Sequence, residues 1–105
     1  MWGVGHDGAR HFPAAAEALS RFRRECGPVI LLTNAPRVPA EVAAQCATYG
    51  LPPDCYDAIV SSGGAARAEL ERRTGAVSAK AAGAGEKARL PLYYIGPDRD
   101  LLMLE

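Results

Sequence analysis

The sequence lacks any apolar run near the ~20 residues that a membrane-spanning helix requires. Met1 to Pro13 carries glycine, histidine, aspartate and arginine where a secretory signal needs a continuous apolar core. Net charge is also missing. Twelve acidic and twelve basic side chains cancel, so no field draws the chain to nucleic acid or an anionic membrane. Cysteine is sparse and unpaired: Cys26, Cys46 and Cys55 are odd in number and show no Cys-x-x-Cys spacing. That excludes a disulfide framework and argues against a thiolate metal site, leaving reduced thiols in a cytoplasmic protein as the expectation. No repeat of 20–50 residues is visible. Residues 1–105 allow one small domain, which buries roughly 60–70% of its unfolded surface.

The most informative segment runs from Pro28 to Arg37. Val29, Ile30, Leu31 and Leu32 form an uninterrupted aliphatic stretch that ends at Thr33 and Asn34, before a turn bounded by Pro36. Four consecutive aliphatics predict a strand buried on both faces, as in a parallel sheet. Ligands of open α/β sheets gather at the carboxyl ends of strands. Thr33 and Asn34 occupy that place, with a hydroxyl and an amide suited to phosphate oxygens. The plainer reading is that both merely cap a turn.

Helical spacing precedes this strand. Phe12, Ala15, Ala16, Leu19, Phe22 and Cys26 share one face, with Glu17, Arg21, Arg23 and Arg24 opposite, so a helix is expected from Pro13 to about Glu25. Pro13 suits its first turn and Gly27 its end. A second helix starts near Pro39, turns Val42, Cys46 and Tyr49 inward and stops at Gly50, before Pro52 and Pro53. Ala58 to Val60 reads as a second buried strand ending in Ser61 and Ser62, and a third helix is expected over Ala65 to Arg73. Gly75 to Arg89, rich in alanine, glycine and lysine, reads as a loop or a weakly anchored helix extension. Leu90 to Ile95 is the third expected strand, and Asp98 is placed to cap a last helix carrying Leu101, Leu102 and Leu104. Strands separated by helices of this length imply right-handed crossovers, hence an α/β fold with a Rossmann-like parallel sheet and flanking helices.

Several motifs carry less than their spelling suggests. Gly3 to Gly8 matches the dinucleotide fingerprint, but no full strand precedes it and the next helix starts only at Pro13. Gly83 to Lys87 lacks the Ser/Thr and the preceding strand of a phosphate loop. His6 and Asp7 are neighbours and point to opposite faces of an extended segment, so a surface turn is their expected role. His11 stands at a helix entrance and supports no separate claim.

Trp2 to Gly8, Leu31 to Arg37, Tyr56 to Gly63 and Tyr94 to Asp100 follow one another in register. Together they resemble the haloacid dehalogenase superfamily of hydrolases, in particular its capped sugar-phosphate and nucleotide phosphatases. The resemblance spans nearly the whole chain and implies the N-terminal part of that family's core domain, a truncated core without the cap and the C-terminal half. It implies a metal-dependent phosphate-ester hydrolase chemistry through an aspartyl-phosphate. It also implies Thr33 as the phosphoryl-holding residue, with Asn34 beside it, and a small phosphorylated molecule as substrate.

On this correspondence the nucleophilic aspartate falls one position before Met1, and Trp2 stands where the general acid is usual. Lys80 and Lys87, both in the glycine-rich stretch, are poor substitutes for the family lysine. Mg²⁺ is the family's metal, and this chain is expected not to bind it and to be inactive in isolation. Open alternatives are a non-catalytic phosphate- or nucleotide-binding module, or a decayed remnant. A sheet of this extent should also leave edges open to self-association.

Overall fold

The computed structural model describes residues 1, 3–80, 91–98, 100 and 101, with residues 76–80 described as backbone. Helix α1 spans Pro13–Glu25, strand β1 Ile30–Thr33, helix α2 Pro39–Thr48, strand β2 Ala58–Ser61 and helix α3 Ser62–Lys80. A short 3₁₀ turn, Pro53–Cys55, leads into β2.

Local chemistry sets these limits. Proline opens both α1 and α2, where its missing N–H costs nothing. Arg23 and Arg24 lie in the last turn of α1, where cations complement the exposed carbonyls. α2 ends in a double closure: the Gly50 N–H donates to the Ala47 carbonyl at 2.9 Å and that of Leu51 to Cys46 at 3.0 Å. This geometry needs a left-handed residue, and Gly50 supplies it at φ +78°. Leu51 is thereby turned into the core.

β1 and β2 pair in parallel, with Ile30 beside Ala58 and Thr33 beside Ser61. Asp57 locks the start of this ladder. Its Oδ2 accepts the Val29 N–H at 2.7 Å, its own N–H donates to the Val29 carbonyl at 2.8 Å, and its Oδ1 accepts from Arg23 of α1 at 2.7 Å. Arg23 also reaches the Asp54 carbonyl at 2.8 Å, so one side chain ties α1 to the turn before β2. The core is the cluster of Ala16, Val42, Cys46, Leu51 and Cys55, with Met1, Leu19, Leu31, Tyr56 and Ile59 packed against it.

The structure departs from expectation in three places. Neither strand is buried on both faces: in β1 Leu31 and Thr33 are half-buried while Ile30 and Leu32 are exposed, and in β2, expected as a buried strand, Ala58 and Val60 are exposed and Ile59 half-buried. An aliphatic run signals burial, but helices α2 and α3 pack chiefly on β2, so one face of β1 is left bare. Pro91 to Ile95 forms no strand, and Leu92, Tyr93 and Ile95 are exposed; Leu90 lies outside the described residues. α3 starts earlier than expected, at Ser62, and the helix extension allowed for the stretch from Gly75 is present as far as Lys80. Ion pairs of Glu69 with Arg72 and Arg73, and of Arg67 with Glu71, support that helix at i,i+3 and i,i+4 spacing. The remainder of the glycine-rich stretch, 81–89, and the bulk of the expected last helix lie outside the described residues; Asp98 itself sits in a 3₁₀ turn. Among the described residues, no helix is long and apolar enough to cross a membrane.

The guanidinium of Arg23 and the Val29 N–H hold the Asp57 carboxyl below its usual range, and Arg72 and Arg73 pull Glu69 down to about 2. A carboxyl depressed in the folded state contributes stability above its unfolded pKa and loses it as pH falls through the folded value. Stability should therefore decline steadily from about pH 4.5 towards pH 2. Urea melts across that window should show a shallower acid decline for Asp57→Asn than for the wild type.

Candidate functional site

The parallel register brings the carboxyl ends of β1 and β2 together, with Thr33 and Ser61 as direct neighbours. Their hydroxyls differ in what remains to them. Thr33, half-buried, accepts the Ala35 N–H on Oγ1 at 3.3 Å, which leaves its own proton available to a ligand. Asn34 is exposed beside it. The Ala35 N–H, a natural third donor for an anion at this strand end, is spent on Thr33.

Ser61 is fully committed. It is buried, its Oγ donates to the Arg37 carbonyl at 2.6 Å and accepts the Gly64 N–H at 3.1 Å. The expectation that Ser61 lies beside Thr33 holds for position and fails for chemistry: its hydroxyl is structural. The first amides of α3 are likewise engaged, since the Gly63 N–H donates to the Ala35 carbonyl at 3.0 Å. Gly63 is so close to the Pro36–Arg37 backbone that a Cβ there would overlap the Pro36 carbonyl. Thus the loop after β1 sits on the N-terminus of α3 and closes it to an anion. Ser62 is exposed at the start of that helix.

Arg37 brings a charge that the motif reading left without a role. Its Nε lies 3.6 Å from Oδ1 of Asp100, whose side chain is 7% exposed and whose Oδ1 has no hydrogen-bond partner. That pairing joins residues 63 positions apart and draws the Tyr94–Asp100 segment to the same end of the sheet. Sequence reading could not have found it, because neither residue belongs to a local pattern.

The N-terminal turn is structural, as its spelling suggested. The Asp7 carboxylate accepts the Ala9 and Arg10 N–H groups at 2.9 Å, and these bonds hold it below the usual range. The His6 ring packs 4.6 Å from that of Tyr49, and its Nδ1 accepts the Gly8 N–H at 3.2 Å. His11 places Nδ1 3.0 Å from the Tyr49 carbonyl, which accepts only, so that nitrogen carries the proton. Cys46 and Cys55 are buried free thiols whose pKa values burial pushes up; Cys26 is exposed. Among the described residues no group of three His, Cys, Asp or Glu side chains can hold a metal. Trp2 and Lys87 lie outside the described residues, and Lys80 is described only as backbone at the end of α3.

The two hydroxyls predict opposite responses. Ser61→Ala leaves the half-buried Arg37 carbonyl and Gly64 N–H without this partner and should cost about 1–3 kcal/mol. Thr33→Val keeps the shape of the side chain, removes one long hydrogen bond and should cost less than about 1 kcal/mol. Chemical denaturation of the two variants measures the difference.

Comparison with known proteins gives a consistent result. The family model described as haloacid dehalogenase-like hydrolase matches residues 1–99. The crystal structure of a hydrolase of the haloacid dehalogenase-like family from Brucella suis 1330 is similar to this chain, with a TM-score of 0.78 and 30% sequence identity. The match covers 100% of this chain and 33% of that one, so the chain spans about a third of its length. No curated protein matches.

Proposed function

This chain belongs to the haloacid dehalogenase-like hydrolases, and from that premise we propose that it forms the phosphoryl-holding part of a phosphate-ester hydrolase core of the capped sugar-phosphate and nucleotide phosphatase kind. The observation that carries this reading is the uncommitted proton of Thr33 at the carboxyl end of β1, held in place by the Ala35 N–H. Thr33 donates to a phosphoryl oxygen, and the Asn34 side-chain amide is the second donor. The substrate is a small phosphorylated molecule.

Mg²⁺, the metal of such chemistry, neutralises phosphate charge when carboxylates hold it. Among the described residues no group of three His, Cys, Asp or Glu side chains could hold it, although Glu41 and Asp100 each keep a buried carboxylate oxygen without a hydrogen-bond partner. Asp54 and Asp57 lie at the opposite ends of the strands, Asp7 closes its own turn and Asp100 faces Arg37. Hydrolysis also needs a nucleophile beside the phosphoryl group, and neither Thr33 nor Asn34 has a base within its hydrogen-bond partners. The 105-residue chain by itself binds phosphate without turning over esters, and its unpaired thiols suit a cytoplasmic location.

Binding at an open strand end, with two neutral donors, is weak: a millimolar dissociation constant, about 4 kcal/mol at a 1 M standard state. Titration with inorganic phosphate should shift the amide signals of residues 33–35, and Thr33→Val should abolish those shifts while the remaining spectrum is retained. Millimolar Mg²⁺ should leave the melting temperature unchanged, and p-nitrophenyl phosphate should not be hydrolysed. Shifts confined to other residues would refute the site; a rise in melting temperature with Mg²⁺, or turnover, would refute the inert reading.

A further inference from the structure

The loop after β1 roots Arg37 firmly beside the phosphoryl site. Its carbonyl accepts the Ser61 hydroxyl at 2.6 Å, and the Pro36–Arg37 backbone lies so close to Gly63 that no side chain would fit between them. Ser61 in turn pairs with Thr33 in the ladder, one strand spacing or ~4.8 Å away. The Arg37 backbone is therefore separated from the carboxyl end of β1 by little more than that spacing and one hydrogen bond. A long side chain covers such a distance, and that of Arg37 is 30% exposed.

The ion pair that Arg37 makes differs from the others in the molecule. Arg23 closes on Asp57 and Arg72 on Glu69, both at 2.7 Å and hydrogen-bonded. Arg37 stops 3.6 Å from Asp100, and the Asp100 Oδ1 that its Nε faces is buried and accepts no hydrogen bond. A buried carboxylate requires a cation close by, so Asp100 keeps the guanidinium at this end of the sheet. It does so without consuming the fork. Asp100 lies against Nε, and the edge formed by the two terminal nitrogens is the one that grips an oxyanion with two parallel hydrogen bonds. Thr33 and Asn34 bring only neutral donors, and Arg37 adds the positive charge they lack.

We infer that Arg37 is a specificity-determining residue, whose guanidinium receives a second oxyanion, carboxylate or phosphate, of the small molecule whose phosphoryl group Thr33 holds; this presupposes the role of Thr33 proposed above. A phosphoryl group is smaller than the spacing between the two residues, so each takes a different group of one ligand. The substrate class is thereby narrowed to phosphate esters that carry an anionic group at their other end. The contacts that set Arg37 in place all lie within residues 33–100, so they are the same in a chain as long as the solved relative.

Nuclear magnetic resonance titrations of the full chain at constant ionic strength test this. Propylphosphonate offers a phosphonate alone; phosphonopropionate replaces its terminal methyl with a carboxylate, and ethylenediphosphonate replaces it with a second phosphonate. All three should shift the amides of residues 33–35. At least one of the two-ended ligands should bind about fivefold tighter than propylphosphonate, the strength of a partly exposed ion pair, and should move the Arg37 Nε–H signal, which propylphosphonate leaves in place. Which of them does so tells a carboxylate from a phosphate. Arg37→Met should abolish the preference and leave propylphosphonate binding unchanged, whereas a purely structural ion pair would alter both affinities or neither. Arg37→Lys keeps the charge and should restore part of the preference. Should Arg37→Met fail to fold, with Asp100 left buried and unpaired, the double variant Arg37→Met/Asp100→Asn carries the same expectation. Equal affinity for the three ligands overturns the role of Arg37, as does loss of propylphosphonate binding in a folded Arg37→Met, while Thr33 keeps its own role. Propylphosphonate that leaves residues 33–35 unmoved refutes the reading of Thr33, and that of Arg37 with it.

Discussion

The arrangement at the carboxyl end of the sheet depends on the register of two parallel strands, and that register is held from the other end. Asp57 both donates to and accepts from Val29, and it binds Arg23 of α1 with the same carboxylate. Four residues later the ladder has placed Thr33 beside Ser61. A slip of one residue would put the Ser61 side chain on the wrong face and free the loop it anchors. The ion pair of Arg23 with Asp57 is half-exposed and adds little by Coulomb attraction alone. Its importance lies in geometry, because it joins helix, turn and both strands at a single carboxylate.

From that register follows a division of labour between two similar side chains. Ser61 is buried and uses its hydroxyl to join the loop after β1 to the start of α3. Thr33 is half-buried and receives one backbone N–H, so its orientation is set while its proton stays free. A donor fixed before the ligand arrives costs no reorganisation on binding. The same loop blocks the N-terminus of α3, which would otherwise be the natural place for an anion.

Much of the fold was legible in the residues because its signals are local. Pro13 and Pro39 open the helices, Gly50 closes one, and the aliphatic stretches at Ile30 and Ala58 form strands. The resemblance to haloacid dehalogenase-like hydrolases, carried by four motifs in order, agrees with the family match over residues 1–99. What escaped sequence reading depends on distant neighbours. Whether Ile30 and Leu32 are covered is decided by which helices pack on β1, and Pro91 to Ile95 has strand-like residues without a strand to pair with. The pairing of Arg37 with Asp100 and the double use of the Ser61 hydroxyl are tertiary facts with no local pattern. Of the two readings of the glycine-rich stretch, the helix extension is realised in α3 as far as Lys80, in spite of Gly75, which costs roughly 1 kcal/mol against alanine.

The central claim is that Thr33, and not Ser61 or the start of α3, receives the phosphoryl group. A crystal of the chain soaked in tungstate, a heavy-atom analogue of phosphate, tests it directly. The account predicts anomalous density within hydrogen-bond distance of Thr33 Oγ1 and the Asn34 side chain, absent from the Thr33→Val crystal. Density seated on Ser61 or on the α3 amides, or density at β1 that survives Thr33→Val, would contradict it.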